Sequence, residues 1–107
     1  MAWRVQTLDE RVDAELDALP VDMRAKFIHI AELLVAFGPF QVREPYVKPL
    51  GDKLFEMRMK GKDGIARAIY VAASNQRLVV LHAFRKKTAG TPRAAIRTAL
   101  ERAKEVR

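Results

Sequence analysis

The strongest constraint in the chain is a double change of hydrophobic period. Apolar residues recur every three or four positions from Leu8 to Phe37, every second position from Phe55 to Phe84, and every three or four again from Ile96. A period near 3.6 fits one face of a helix and a period of two fits one face of a strand, so the pattern demands segregated helices and strands. The first tract sets Leu8, Val12, Leu16 and Leu19 against Asp9, Glu10, Asp13, Glu15 and Asp17, which predicts an acidic amphipathic helix. Pro20 interrupts it, because proline lacks an N–H and its ring blocks the preceding turn, yet it suits the start of another helix. That second helix carries Met23, Phe27, Ile30, Leu34 and Phe37 and stops at Gly38 and Pro39. The two form a helical hairpin.

A short strand over residues 3–7 precedes the hairpin. Gly38, Pro39, Pro45, Pro49 and Gly51 predict a loop through residues 38–53. Then Phe55, Met57 and Met59 alternate with Glu56, Arg58 and Lys60, a half-buried strand with one charged side. Gly61-Lys62-Asp63-Gly64 has hairpin-turn chemistry, with Gly64 free to take positive φ. Strands over 65–72 and 78–84 follow, separated by a turn at Ser74, Asn75 and Gln76. Thr91 and Pro92 resemble an N-cap and first-turn proline before a helix with Ile96, Leu100, Ala103 and Val106 on its apolar side. The expected architecture is a single α+β domain over residues 1–107, ordered strand, helix, helix, three-strand meander, helix. Its small antiparallel sheet packs on the helical hairpin and leaves its other face for function.

Charge divides the chain. Residues 1–53 hold seven Lys/Arg against nine Asp/Glu, whereas residues 54–107 hold thirteen against four, so the halves carry about −2 and +9 and the positive charge resides with the meander and last helix. A basic surface of this kind suits nucleic acid or ribosome, where neutralised phosphates release counterions. The absence of cysteine removes disulfides, thiolate metal sites and cysteine nucleophiles. No apolar run is long enough for a membrane span and the N-terminus does not read as a signal peptide, so a cytoplasmic location is expected.

No Gly-rich phosphate loop or metal-spaced carboxylate cluster is present, and Ser74 has no visible base, so neither a cofactor nor a metal is expected. Any chemistry falls to basic residues. Arg67 sits amid Ile65, Ala66, Ala68, Ile69 and Tyr70, where a charge wants either a phosphate or an ion pair with Glu56 across the hairpin. Arg58 and Lys60 lie on the adjoining strand. Arg85, Lys86 and Lys87 end the last strand just before a helix, a junction suited to phosphate. His82, on the same side as Leu78, Val80 and Phe84, is either a structural histidine or an acid/base. Tyr70 is either a base-stacking residue or a partly buried core residue.

Four segments taken together are distinctive: Leu54-Phe55-Glu56-Met57-Arg58, Gly64-Ile65-Ala66-Arg67-Ala68-Ile69-Tyr70, Leu81-His82-Ala83-Phe84-Arg85-Lys86-Lys87-Thr88, and Thr91-Pro92 before a helix. In this order and spacing the chain resembles the HigB-like, phage-derived branch of the RelE/ParE toxin superfamily over about residues 3 to 106. The resemblance implies the toxin of a toxin–antitoxin pair, a ribosome-dependent endoribonuclease that cleaves messenger RNA without metal. It implies an antitoxin partner from the adjacent gene, often with a helix-turn-helix DNA-binding domain. Arg67 matches the family's phosphate-contacting arginine, Lys86 or Lys87 its basic residue after the last strand, and Arg58 a basic residue on the preceding strand. Lys60, Arg85 and Tyr70 are further RNA-binding candidates, and Glu56 and His82 the candidate acids or bases. Glu56 stands where the best-known members carry lysines, and no tyrosine or histidine follows the last helix. This departure keeps open a ParE-like inhibitor of DNA gyrase that cuts nothing, or a non-toxic phage-derived binding protein.

Overall fold

The hairpin helices, the sheet and the last helix stack as three layers. The computed structural model describes residues 2–86 and 90–107. The order is β1 (Arg4–Thr7), α1 (Glu10–Asp17), α2 (Val21–Phe37), β2 (Val47–Gly51), β3 (Leu54–Gly61), β4 (Gly64–Ala73), β5 (Arg77–Lys86) and α3 (Arg93–Ala103). Asp9 caps α1 by accepting the Arg11 backbone N–H at 2.9 Å, and Glu10 and Asp13 in the first turn complement the helix dipole. Pro20 precedes α2 and Gly38 ends it at φ 81°, a conformation that costs glycine little.

The strands form one sheet in the order β1-β5-β4-β3-β2. Strands β2 to β5 are an antiparallel meander, while β1 joins β5 in parallel, so the sheet is not wholly antiparallel as expected. Residues 47–51, expected to be loop, instead form the edge strand β2, with Val47 opposite Met57 and Pro49 opposite Phe55. Proline and glycine there gave a loop signal, but an edge strand tolerates proline because one side of it has no ladder to satisfy. Asp52 and Lys53, at φ 53° and 66°, make the tight two-residue turn into β3. At the next hairpin Gly61 pairs with Gly64, whose φ of 141° meets the expectation for that turn.

The hairpin side of the sheet buries Met57, Met59, Ala66, Ala68 and Tyr70 against Val12, Met23, Ile30 and Leu34. The opposite side buries Leu54, Ile69, Val79 and Leu81 beneath α3, whose Ala95 and Ala99 allow close approach. Ile96 and Leu100, expected to lead the apolar side of α3, are only half-buried at its flank. A bulge in β5 separates the two parities: Ile69 pairs with His82 but Tyr70 pairs with Val80, leaving Leu81 as the extra residue.

Candidate functional site

The alternation that sends Met57, Met59, Ala66 and Ala68 into the hairpin core turns Glu56, Arg58 and Arg67 toward α3. Arg58 and Arg67 are direct cross-strand partners, a like-charge pair that is unfavourable unless an anion lies near. Arg67 donates from Nη1 to Oε1 of Glu56 at 3.1 Å, and the two side chains are only 4% and 3% exposed. The second carboxylate oxygen, Oε2, accepts the Thr91 hydroxyl at 2.5 Å. Thr91 therefore does not cap α3, as the sequence suggested. Pro92 occupies that position with no side-chain cap bond, and the hydroxyl goes to the stronger, charged acceptor.

Lys86 completes the cluster from the end of β5. It is 7% exposed, and among the described residues its Nζ has no hydrogen-bond partner; Arg67 Nε is likewise unpartnered. Burial pushes the Lys86 pKa below the usual lysine value, the Arg67 charge adds to this, and Glu56 opposes it. Burial also lowers the Arg67 pKa, again against the pull of Glu56. Arg58 and Lys48 contribute further positive charge felt by Lys86. The result is a buried cation cluster around one carboxylate, with two donor atoms left over. Such an excess is costly in a poorly solvated site and is relieved by a bound anion.

Not every candidate residue reaches this cluster. Lys60 is exposed at the far end of β3, two residues beyond Arg58. Arg85 points to the hairpin side, where Nη2 donates to the Asp63 carbonyl at 2.9 Å. Tyr70 is fully buried on the opposite face, stacked on Phe55 at 5.6 Å, and so cannot stack on a base from the Arg67 face; burial raises its pKa. The β5 bulge removes His82 from the side of Leu78 and Val80, and its Nδ1 lies 3.1 Å from Glu15, which also pairs with Arg102. Lys87 lies outside the described residues. Thr91 is the member of the cluster without a sequence signal of its own, since a threonine followed by a proline carries the same signal as a helix cap.

The chain matches the family model described as phage-derived protein Gp49-like (DUF891) over residues 14–104. No curated protein sequence matches it. Among solved structures, an arginine-to-alanine double mutant of the Escherichia coli toxin RelE in the free state superposes with a TM-score of 0.68 at 15% identity, covering 95% of this chain and 98% of that one. The archaeal RelE–RelB complex from Pyrococcus horikoshii gives 0.60 at 24% identity, covering 83% and 100%. At these identities the likeness is one of fold. The family match spans the second half of α1, all of α2, the meander and the whole Glu56–Arg67–Lys86–Thr91 cluster: the chain belongs to the phage-derived Gp49-like family and carries the fold of RelE.

Proposed function

We propose that this protein is the toxin of a toxin–antitoxin pair and that it inhibits translation by cleaving messenger RNA on the ribosome, with Arg67 and Lys86 holding the scissile phosphate. The family and the RelE fold support the coarser part, a toxin-antitoxin toxin, and the archaeal RelE–RelB complex supports an antitoxin partner. The observation that carries the finer part is the pair of buried donors, Lys86 Nζ and Arg67 Nε, unpartnered among the described residues in a cluster with excess positive charge.

In this reading the ribose 2′-oxygen attacks phosphorus, its proton passing to solvent, and the bond from phosphorus to the 5′-oxygen breaks. The products are a 2′,3′-cyclic phosphate and a 5′-hydroxyl. Arg67, with Arg58 beside it, stabilises the negative charge that builds on the phosphoryl oxygens. Lys86, made more acidic by its burial, donates the proton that the leaving 5′-oxygen needs. Both oxygens of Glu56 are already engaged, by Arg67 and Thr91, so its role here is to position Arg67 rather than to act as the base.

The test is primer extension on a defined messenger RNA in a cell-free translation reaction, comparing wild type with Arg67→Ala and Lys86→Met. Ribosome-dependent cuts with wild type and none with either variant are expected. An intact transcript with folded, antitoxin-free wild type would refute nuclease action and return the gyrase-inhibitor reading.

A further inference from the structure

Helix α2 is apolar on two sides. One side, with Met23, Ile30 and Leu34, is buried in the core. On its outer surface stand Val21, Ile28 and Val35, 72%, 57% and 41% exposed. These three are seven residues apart, two helical turns, so they line up as a stripe of β-branched side chains like one seam position of a coiled coil. Two surface hollows flank Ile28. One includes Val21, Arg24, Ala25 and Ile28, and the other Ile28, Ala31, Glu32 and Val35. Each quartet has the i, i+3, i+4, i+7 spacing of the hole that receives a knob from a facing helix.

The stripe is also self-complementary when reversed. Counting outward from Ile28, alanine meets alanine (Ala25, Ala31), arginine meets glutamate (Arg24, Glu32) and valine meets valine (Val21, Val35). Arg24 and Glu32 make no ion pair among the described residues, and Arg24 Nε is buried without a hydrogen-bond partner. An antiparallel helix of the same sequence, placed on a two-fold axis at Ile28, sets each arginine against the other copy's glutamate, each valine against valine and the small alanines where the helices approach.

We propose that the outer face of α2 is the interface of a homodimer, with two copies of this chain packed antiparallel through Val21, Arg24, Ala25, Ile28, Glu32 and Val35. The apolar stripe alone would accept many helices. The inverted charge pair about a central isoleucine favours a second copy, because an isologous contact satisfies both ends with one pair of residue types. None of Glu56, Arg58, Arg67 or Lys86 lies on α2, so this surface is independent of the proposed RNA site.

Sedimentation analysis of the antitoxin-free protein tests the proposal. Wild type is expected to be dimeric at about 100 μM, where a dimer of micromolar Kd is largely formed. Ile28→Asp is expected to be monomeric and still folded, with an unchanged far-UV circular dichroism spectrum, since Ile28 is exposed and lies outside the core. Arg24→Glu should weaken the dimer at least tenfold, and the double substitution Arg24→Glu with Glu32→Arg should restore it. A monomeric wild type overturns the proposal, and so does a double variant that stays as weak as the single one. If wild type is monomeric and Ile28→Asp loses antitoxin binding, the face belongs to the antitoxin and the homodimer is refuted.

Discussion

Glu56 and Arg67 sit on neighbouring strands two residues out of register, joined at 3.1 Å and almost wholly buried, with Arg58 directly opposite Arg67. Among the described residues the carboxylate is the one anion felt in a cluster of cations, so its removal exposes their mutual repulsion. Glu56→Gln is expected to destabilise the fold by about 3 kcal/mol, the range for breaking a buried pair at one partner. Replacing both partners, Glu56→Leu with Arg67→Met, should cost much less than the two single changes added together. Urea unfolding of wild type, Glu56→Leu, Arg67→Met and the double variant gives the comparison, and simple additivity would show that the pair is not coupled.

Lys86 shows the opposite balance, because nothing in the described cluster compensates its burial fully. Lys86→Met should raise stability at pH 7 by about 1–2 kcal/mol, since an unsatisfied buried donor is lost and the stem packing is kept. The same change should abolish cleavage. The sign of the pH effect follows from the lowered pKa. Above the folded value and below the ordinary value of 10.5, the unfolded chain holds the proton and the folded chain does not, so stability rises with pH across that window. Lys86→Met should flatten this rise in a pH series of unfolding curves; an unchanged slope would assign it to another group.

Much of this cluster is visible in the sequence, and its limits are instructive. Alternation alone separates Tyr70, which shares parity with Ala66 and Ala68, from Arg67, so the exclusion of Tyr70 from the site was within reach of the pattern. The side of His82 was not, because a bulge at Leu81 reverses parity and leaves no composition signal. The strand at 47–51 was hidden by Pro49 and Gly51, residues that mark loops in general and edge strands only in context. The pairing of β1 with β5 in parallel joins residues more than seventy positions apart, beyond any local period. Arg67 and Glu56 were recognisable as partners, but the bond from Thr91 to Glu56 depends on where α3 docks.

That bond gives a test of its own. Thr91→Val keeps the shape and removes the hydroxyl that Glu56 Oε2 accepts at 2.5 Å. A buried acceptor left without its donor costs about 1–3 kcal/mol. Thr91→Ser, which retains the hydroxyl, should recover most of the loss. If the valine and serine variants unfold at the same urea concentration, the hydroxyl does not hold the carboxylate.

The β3–β4 turn is tied to the start of α2 through one aspartate. Asp22 accepts the Lys62 backbone N–H at 2.6 Å and that of Met23 at 2.9 Å, and the Lys62 bond leads in holding its carboxyl below the usual value. The fit is close, since a Cβ on Gly61 would stand 2.7 Å from Asp22 Oδ2 and 2.8 Å from Met23 Cγ. Gly61→Ala is therefore expected to cost about 1–3 kcal/mol by overpacking, with the helix and hairpin forced apart. A lowered carboxyl pKa means that the stabilisation from Asp22 is present above the unfolded value of 3.8 and is lost as pH falls through the folded value. Asp22→Asn should remove that part of the acid sensitivity while leaving the slope near neutral pH unchanged. Unfolding curves collected between about pH 2 and 5 cover the carboxylate range and decide it, and identical acid profiles for wild type and Asp22→Asn would show that the contact contributes nothing to the junction.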